Sequence, residues 1–191
     1  RGEAWGQAVT YLRQAGAKAF ARSANRESVT YLEQALNTLD HLPQDGETLA
    51  QAIDVRIELR HALWPLGENG RILDRLQKAE TMAETLADQG RLARVLSAMG
   101  YSYWMLGDHD RVATSNRRAL AIATGLRDFA LEAAANFALG LAYHGLGDYR
   151  RATDHLTRNI GSLQGERRFG RFGTAGVTSV LSIMALAWCK A

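Results

Sequence analysis

The sequence predicts an all-α fold, a right-handed superhelical solenoid of antiparallel helix pairs. Three observations carry that reading. Hydrophobic residues make up 47% of the 191-residue chain, which excludes a disordered polymer, and they recur at helical rather than alternating spacing. Proline occurs only at Pro43 and Pro65, so little interrupts the helices. The chain also repeats itself. "LGENGRILDRLQKAETMA" begins at Leu66, "LGDHDRVATSNRRALAIA" at Leu106 and "LGDYRRATDHLTRNIGSL" at Leu146, two successive steps of 40 residues. Units that repeat at such a period cannot bury their apolar faces alone, and they stack.

Taken in order, the first helix is expected over 4–21, where "RGEAWGQAVTYLRQAG" is already amphipathic and periodic. A degenerate copy of the repeat, "RSANRESVTYLEQALNTL" from Arg22, predicts the second over 25–40. The third, 47–65, runs up to the corner "LGEN", and the fourth, 69–87, leaves it. Helices over 91–105 and 109–124 flank "GDHD", and those over 128–145 and 149–162 flank "GDY". The last, 175–191, ends on the apolar "ALAWCKA" with no cap or stop signal. Pairing them gives a single solenoid over 1–191, with repeats near 4–42, 47–87, 91–125 and 128–163 and a partial repeat over 175–191. The uncapped end and the absence of an initial Met lead us to expect a piece of a larger protein.

Aligning the corners shows what the repeat conserves within itself. The corner residues are Ala24, Glu68, Asp108 and Asp148. Eight residues earlier stand Gly16, Arg60, Gly100 and Gly140, and five earlier Ala19, Leu63, Tyr103 and Tyr143. Four later come Ser28, Ile72, Val112 and Ala152, and eleven later Ala35, Ala79, Ala119 and Asn159. A small residue midway along the first helix lets the second approach closely, and an aromatic one turn on fills the space between them. Small residues on the second helix admit the next repeat.

This pattern resembles the tetratricopeptide-repeat family, on Gly100/Tyr103/Gly107-Asp108/Ala119 and Gly140/Tyr143/Gly147-Asp148/Ala152. The third and fourth copies match best, and the period exceeds the family's usual 34. "YLRQAGAKAFARSANRESVTYLEQAL", "LGENGRILDRLQKAE" and "YWMLGDHDRV" further resemble the C-terminal helical-repeat region of bacterial multidomain signalling ATPases, nucleotide cyclases or transcriptional regulators. The resemblance implies a non-catalytic interaction or scaffold module, the regulatory repeat region of a larger bacterial signalling protein. The alternative is a small-molecule sensor coupled to an attached ATPase or cyclase domain. No GxxxxGK[ST] loop is present in this chain, so no ATP site is assigned to it.

Composition narrows the partners. A net charge of +3 gives no nucleic-acid footprint. No apolar run approaches the ~20 residues of a membrane span; the longest, "VLSIMALAW" at 180–188, is too short. One cysteine, Cys189, allows no intrachain disulfide and favours a reducing, cytoplasmic setting. Lying on an apolar helix face, it reads as buried and inert.

Chemistry is weakly signalled. "GDHD" places Asp108, His109 and Asp110 together, residue types that ligate metals, yet neighbouring side chains at a helix start diverge. The equivalent corners read "GEN" and "GDY", so Gly107 is read as the turn and Asp108 as the cap. None of His41, His61, His109, His144 and His155 forms a paired-His motif. The segment "QGERRFGRFGTAG" over 164–176 offers Arg167, Arg168 and Arg171 with Phe169 and Phe172, as phosphate or RNA readers or as an extended loop packed on the solenoid. We expect the loop. No catalytic residue, metal site or cofactor is expected.

The resemblance implies that the first helix of each pair lines a concave groove. Four residues before the corners stand Phe20, Trp64, Trp104 and His144, seven before Ala17, His61, Tyr101 and Leu141, and eleven before Arg13, Ile57, Ser97 and Phe137. Phe20, His61, Trp64, Tyr101, Trp104, Phe137 and His144 are therefore the expected partner contacts. The partner is a protein or peptide segment, or another domain of the same parent chain. Aromatic rings suit an apolar or helical segment, and they also suit a filled superhelix core.

Overall fold

In the computed structural model, residues 2–174 and 176–191 are described. Among them the regular structure is all helical: α1 (Gly2–Ala21), α2 (Asn25–Leu39), α3 (Gly46–Leu63), α4 (Asn69–Thr85), α5 (Gln89–Met105), α6 (His109–Leu126), α7 (Phe129–Gly145), α8 (Tyr149–Ser162) and α9 (Thr178–Trp188). Short 3-10 turns span Trp64–Leu66 and Gly165–Phe169. The expected helices are present within a few residues. The third gives way to a 3-10 turn at Trp64, beside Pro65, and α9 begins at Thr178 because the loop before it is longer than expected.

The chain forms two compact units, residues 1–95 and 96–191. In the first, α1 packs on α2, α2 on α3 and α3 on α4. In the second, α6 packs on α7, α7 on α8, and α9 on both α7 and α8.

The corners explain the long repeat. Ala87, Gly107, Arg127 and Gly147 follow one another at 20-residue steps, and all hold positive φ, the left-handed geometry that closes a helix. The next residue is Asp each time. Its backbone N–H donates back to Ala83, Tyr103, Ala123 or Tyr143 at 2.9–3.0 Å. The side chains of Asp88, Asp108, Asp128 and Asp148 then accept from the N–H of Arg91, Arg111, Leu131 and Arg151 at 2.9–3.1 Å. One residue thus stops a helix and the next caps its successor. Helices of 17 or 18 residues with this corner make a half-repeat of 20. Glu68 and Ala24 give no side-chain cap; Glu68 pairs with Arg71 instead.

In the three pairs that carry glycine there, the small residue works against a position eight beyond the corner; the second pair has Arg60 instead. A Cβ on Gly16 would press on Leu32 at 3.0 Å, one on Gly140 would meet Leu156 at 2.5 Å, and one on Gly100 would overlap Asn116. Ala35, Ala79, Ala119 and Asn159 are buried, as are Ser28, Ile72, Val112 and Ala152. Tyr103 and Tyr143 are buried too, each beneath an arginine, Arg111 and Arg151, at 5.5 Å. Among the described residues no helix is long and apolar enough to cross a membrane.

Candidate functional site

In the first unit, Phe20 ends the exposed stripe of α1 and remains 43% open to solvent. It meets His61 of α3 with ring centroids 6.2 Å apart, tilted. Arg60 approaches the same imidazole, its Nη2 3.3 Å from His61 Nδ1. Burial, and then the Arg60 charge, push His61 down to about 4, so it is neutral at pH 7. Trp64 follows at the 3-10 turn, 37% exposed. One turn back along the stripe lies a ladder of ion pairs. Arg13 of α1 pairs with Glu58 of α3 through both ends of its fork, at 2.5 and 3.3 Å. Arg91 and Arg94 of α5 share Asp54 of α3, at 2.9 and 3.1 Å.

In the second unit, Tyr101 and Trp104 lie one turn apart on α5 with centroids 6.1 Å apart, and Trp104 is 40% exposed. On α7, Phe137 and His144 are half-buried two turns apart. His144 meets Tyr149 edge-on at 5.5 Å and Trp188 at 6.4 Å. Sequence reasoning did not select Trp188, which is 57% exposed on α9 together with Val180, Ile183 and Met184. The irregular loop before α9 had broken the 40-residue alignment, and only the apolar run over 180–188 marked that helix. Within the units the structure therefore joins Phe20 with His61, Tyr101 with Trp104, and His144 with Trp188.

The other signals resolve into structure. Asp108 caps α6, and the His109 ring lies against Gly145 of α7, 2.5 Å from where a Cβ would stand. Among the described residues no group of three His, Cys, Asp or Glu side chains could hold a metal ion. In the loop, Arg167 lies 4.0 Å over the Phe129 ring and Phe172 meets the same ring edge-on at 5.3 Å. Ser179 and Thr178 at the start of α9 donate to the carbonyls of Arg168 and Arg171. Phe169 and Arg171 stay exposed. Cys189 falls at the C-cap of α9, half-buried rather than buried, with its thiol pushed up by burial.

These helix pairs, capped corners and exposed rings define a tetratricopeptide-like helical-repeat fold. Solved structures share it at low sequence identity. The apo form of RapI superposes with a TM-score of 0.78 at 14% identity, over 96% of this chain and 53% of that one. A Rap protein complexed with Competence and Sporulation Factor gives 0.72 at 15%, over 94% and 47%. A putative kinesin light chain from Podosopora anserina with nearly identical TPR-like repeats gives 0.73 at 14%, over 95% and 84%. The chain thus spans about half the length of the Rap proteins it matches. No family model and no curated protein matches it.

Proposed function

We propose that this chain is a non-catalytic protein-interaction module that receives a peptide segment, or another domain of its own parent, on the first helices of its repeats. The observation that carries the reading is that Phe20 and Trp64 in the first unit and Trp104 in the second, large rings at the same position before the corners of three repeats, each remain more than a third exposed. The repetition of the exposed ring at one position of the repeat, rather than exposure alone, supports the reading, since Trp and Tyr dominate binding hot spots. His61, Tyr101, Phe137 and His144 complete the proposed contacts. A fold neighbour solved with Competence and Sporulation Factor bound makes ligand capture a precedent for this architecture. The finer proposal is a cytoplasmic regulatory repeat array, reading as one over 1–191, within a bacterial signalling protein.

Selection of a displayed random-peptide library on the chain tests this. Binders should emerge that lose affinity when Phe20 or Trp104 becomes Ala. A library that yields none overturns the reading.

A further inference from the structure

The rings of the first unit sit beside charges that are already spent on one another. On α1, Arg13 and Phe20 are seven residues apart and share a face. On α3, Asp54, Glu58 and His61 recur at i, i+4 and i+7 and share another. The two faces meet, because Arg13 pairs with Glu58 and Phe20 with His61. The start of α5 joins them through Arg91 and Arg94 on Asp54, and Arg91 also pairs with its own cap Asp88 at 2.7 Å. Three cations thus face three carboxylates. Asp54 is the most enclosed of them, its side chain 17% exposed.

We propose that this face selects peptide segments of low net charge with aromatic or aliphatic anchors, and discriminates against acidic segments and free carboxylate ends. The inference rests on the peptide-binding reading above and names its partner class. A partner carboxylate gains Arg13, Arg91 or Arg94 only by competing with Glu58, Asp54 or Asp88 for it. One ion pair is exchanged for another: Glu58 gives up its arginine to water, and Asp54, the more enclosed carboxylate, keeps one of its two, so the exchange brings no net gain. An apolar side chain seated against Phe20 and His61 disturbs no pair. His61 adds no charge of its own at pH 7, since Arg60 faces its Nδ1 as a donor faces an acceptor.

The experiment is a displayed random-peptide selection on the 191-residue chain, followed by affinity measurement of the enriched peptides across salt concentrations. The proposal expects enrichment of aromatic and aliphatic residues, depletion of Asp and Glu, and affinities that change by less than about twofold between low and physiological salt. Repeating the selection on Asp54→Asn and Glu58→Gln, which take the carboxylates from Arg13 and Arg94 and leave Arg91 only its cap Asp88, should bring in acidic peptides whose binding weakens at least about tenfold with salt. Acidic, salt-sensitive binders on the unaltered chain overturn this inference and leave the peptide-binding reading standing. No enrichment on any version overturns both. The unaltered chain decides the question even where a variant fails to fold.

Discussion

Arg111 spreads its guanidinium over the ring of Tyr103, 5.5 Å from the centroid, while its backbone N–H donates to Asp108. Forty residues on, Arg151 stands in the same relation to Tyr143 and Asp148. One side chain covers the aromatic that separates two helices, and its Nε also pairs with the capping Asp at 3.2 and 3.3 Å. The corner of "GDHD" is therefore a packing device in which cap, ion pair and ring cover are fused.

Removing the cap should weaken the fold by the worth of one capping bond. Asp108→Ala and Asp148→Ala should each cost about 1 kcal/mol. Thermal unfolding should show this as a fall of roughly 2–4 °C per substitution for a chain of this size.

Two glycines should respond in opposite senses. Gly140→Ala drives a Cβ to 2.5 Å from Leu156, and overpacking of this kind costs about 1–3 kcal/mol. Gly125→Ala, in α6 with nothing within 4 Å, should gain about 0.5–1 kcal/mol from helix propensity. Chemical denaturation of the pair gives the sign directly.

The positive-φ corners without glycine carry a cost that can be relieved. Ala87 and Arg127 sit at φ 52 and 56° where the equivalent Gly107 and Gly147 sit at 74 and 76°. Ala87→Gly and Arg127→Gly should each stabilise by about 1 kcal/mol, read as a rise in the denaturation midpoint.

His61 and His155 both bind protons more weakly folded than unfolded. Burial lowers each below its ordinary 6.5, with Arg60 beside the first and Arg158 beside the second. Below 6.5 the unfolded chain takes protons that the folded chain refuses. Stability is thus complete above that value and declines as pH falls toward the folded values, about 4 for His61. His61 keeps an open edge, so its part is chiefly a local charge state. Titration by histidine NMR should place its ring well below 6.5; an ordinary value would contradict the geometry.

The helices were legible because a 40-residue repetition shows its own boundaries, and Gly140 against Leu156 is the packing that small residues at the −8 position promised. The half-repeat was less legible. Ala87 and Arg127 hold the left-handed turn without being glycine, so the corners at Asp88 and Asp128 carried no "LGD" flag. The ion ladder was hidden as well, since Arg13, Asp54, Glu58 and Arg91 lie up to 78 residues apart and meet only through stacking. The rings at Phe20, Trp64 and Trp104 could be found by position, but whether such a ring is enclosed or open depends on neighbours that one sequence does not order. Trp188 was missed because the loop packed on Phe129 shifts α9 out of the alignment.

The most direct measurement is the affinity of a selected peptide for the unaltered chain and for its Trp64→Ala and Trp104→Ala variants, with far-UV circular dichroism of each. If the exposed rings receive the partner, affinity should fall at least about tenfold, the loss of a binding hot spot, while helicity stays at the unaltered level. Unchanged affinity in both variants, or a loss that appears only together with collapse of the helical signal, would contradict the account.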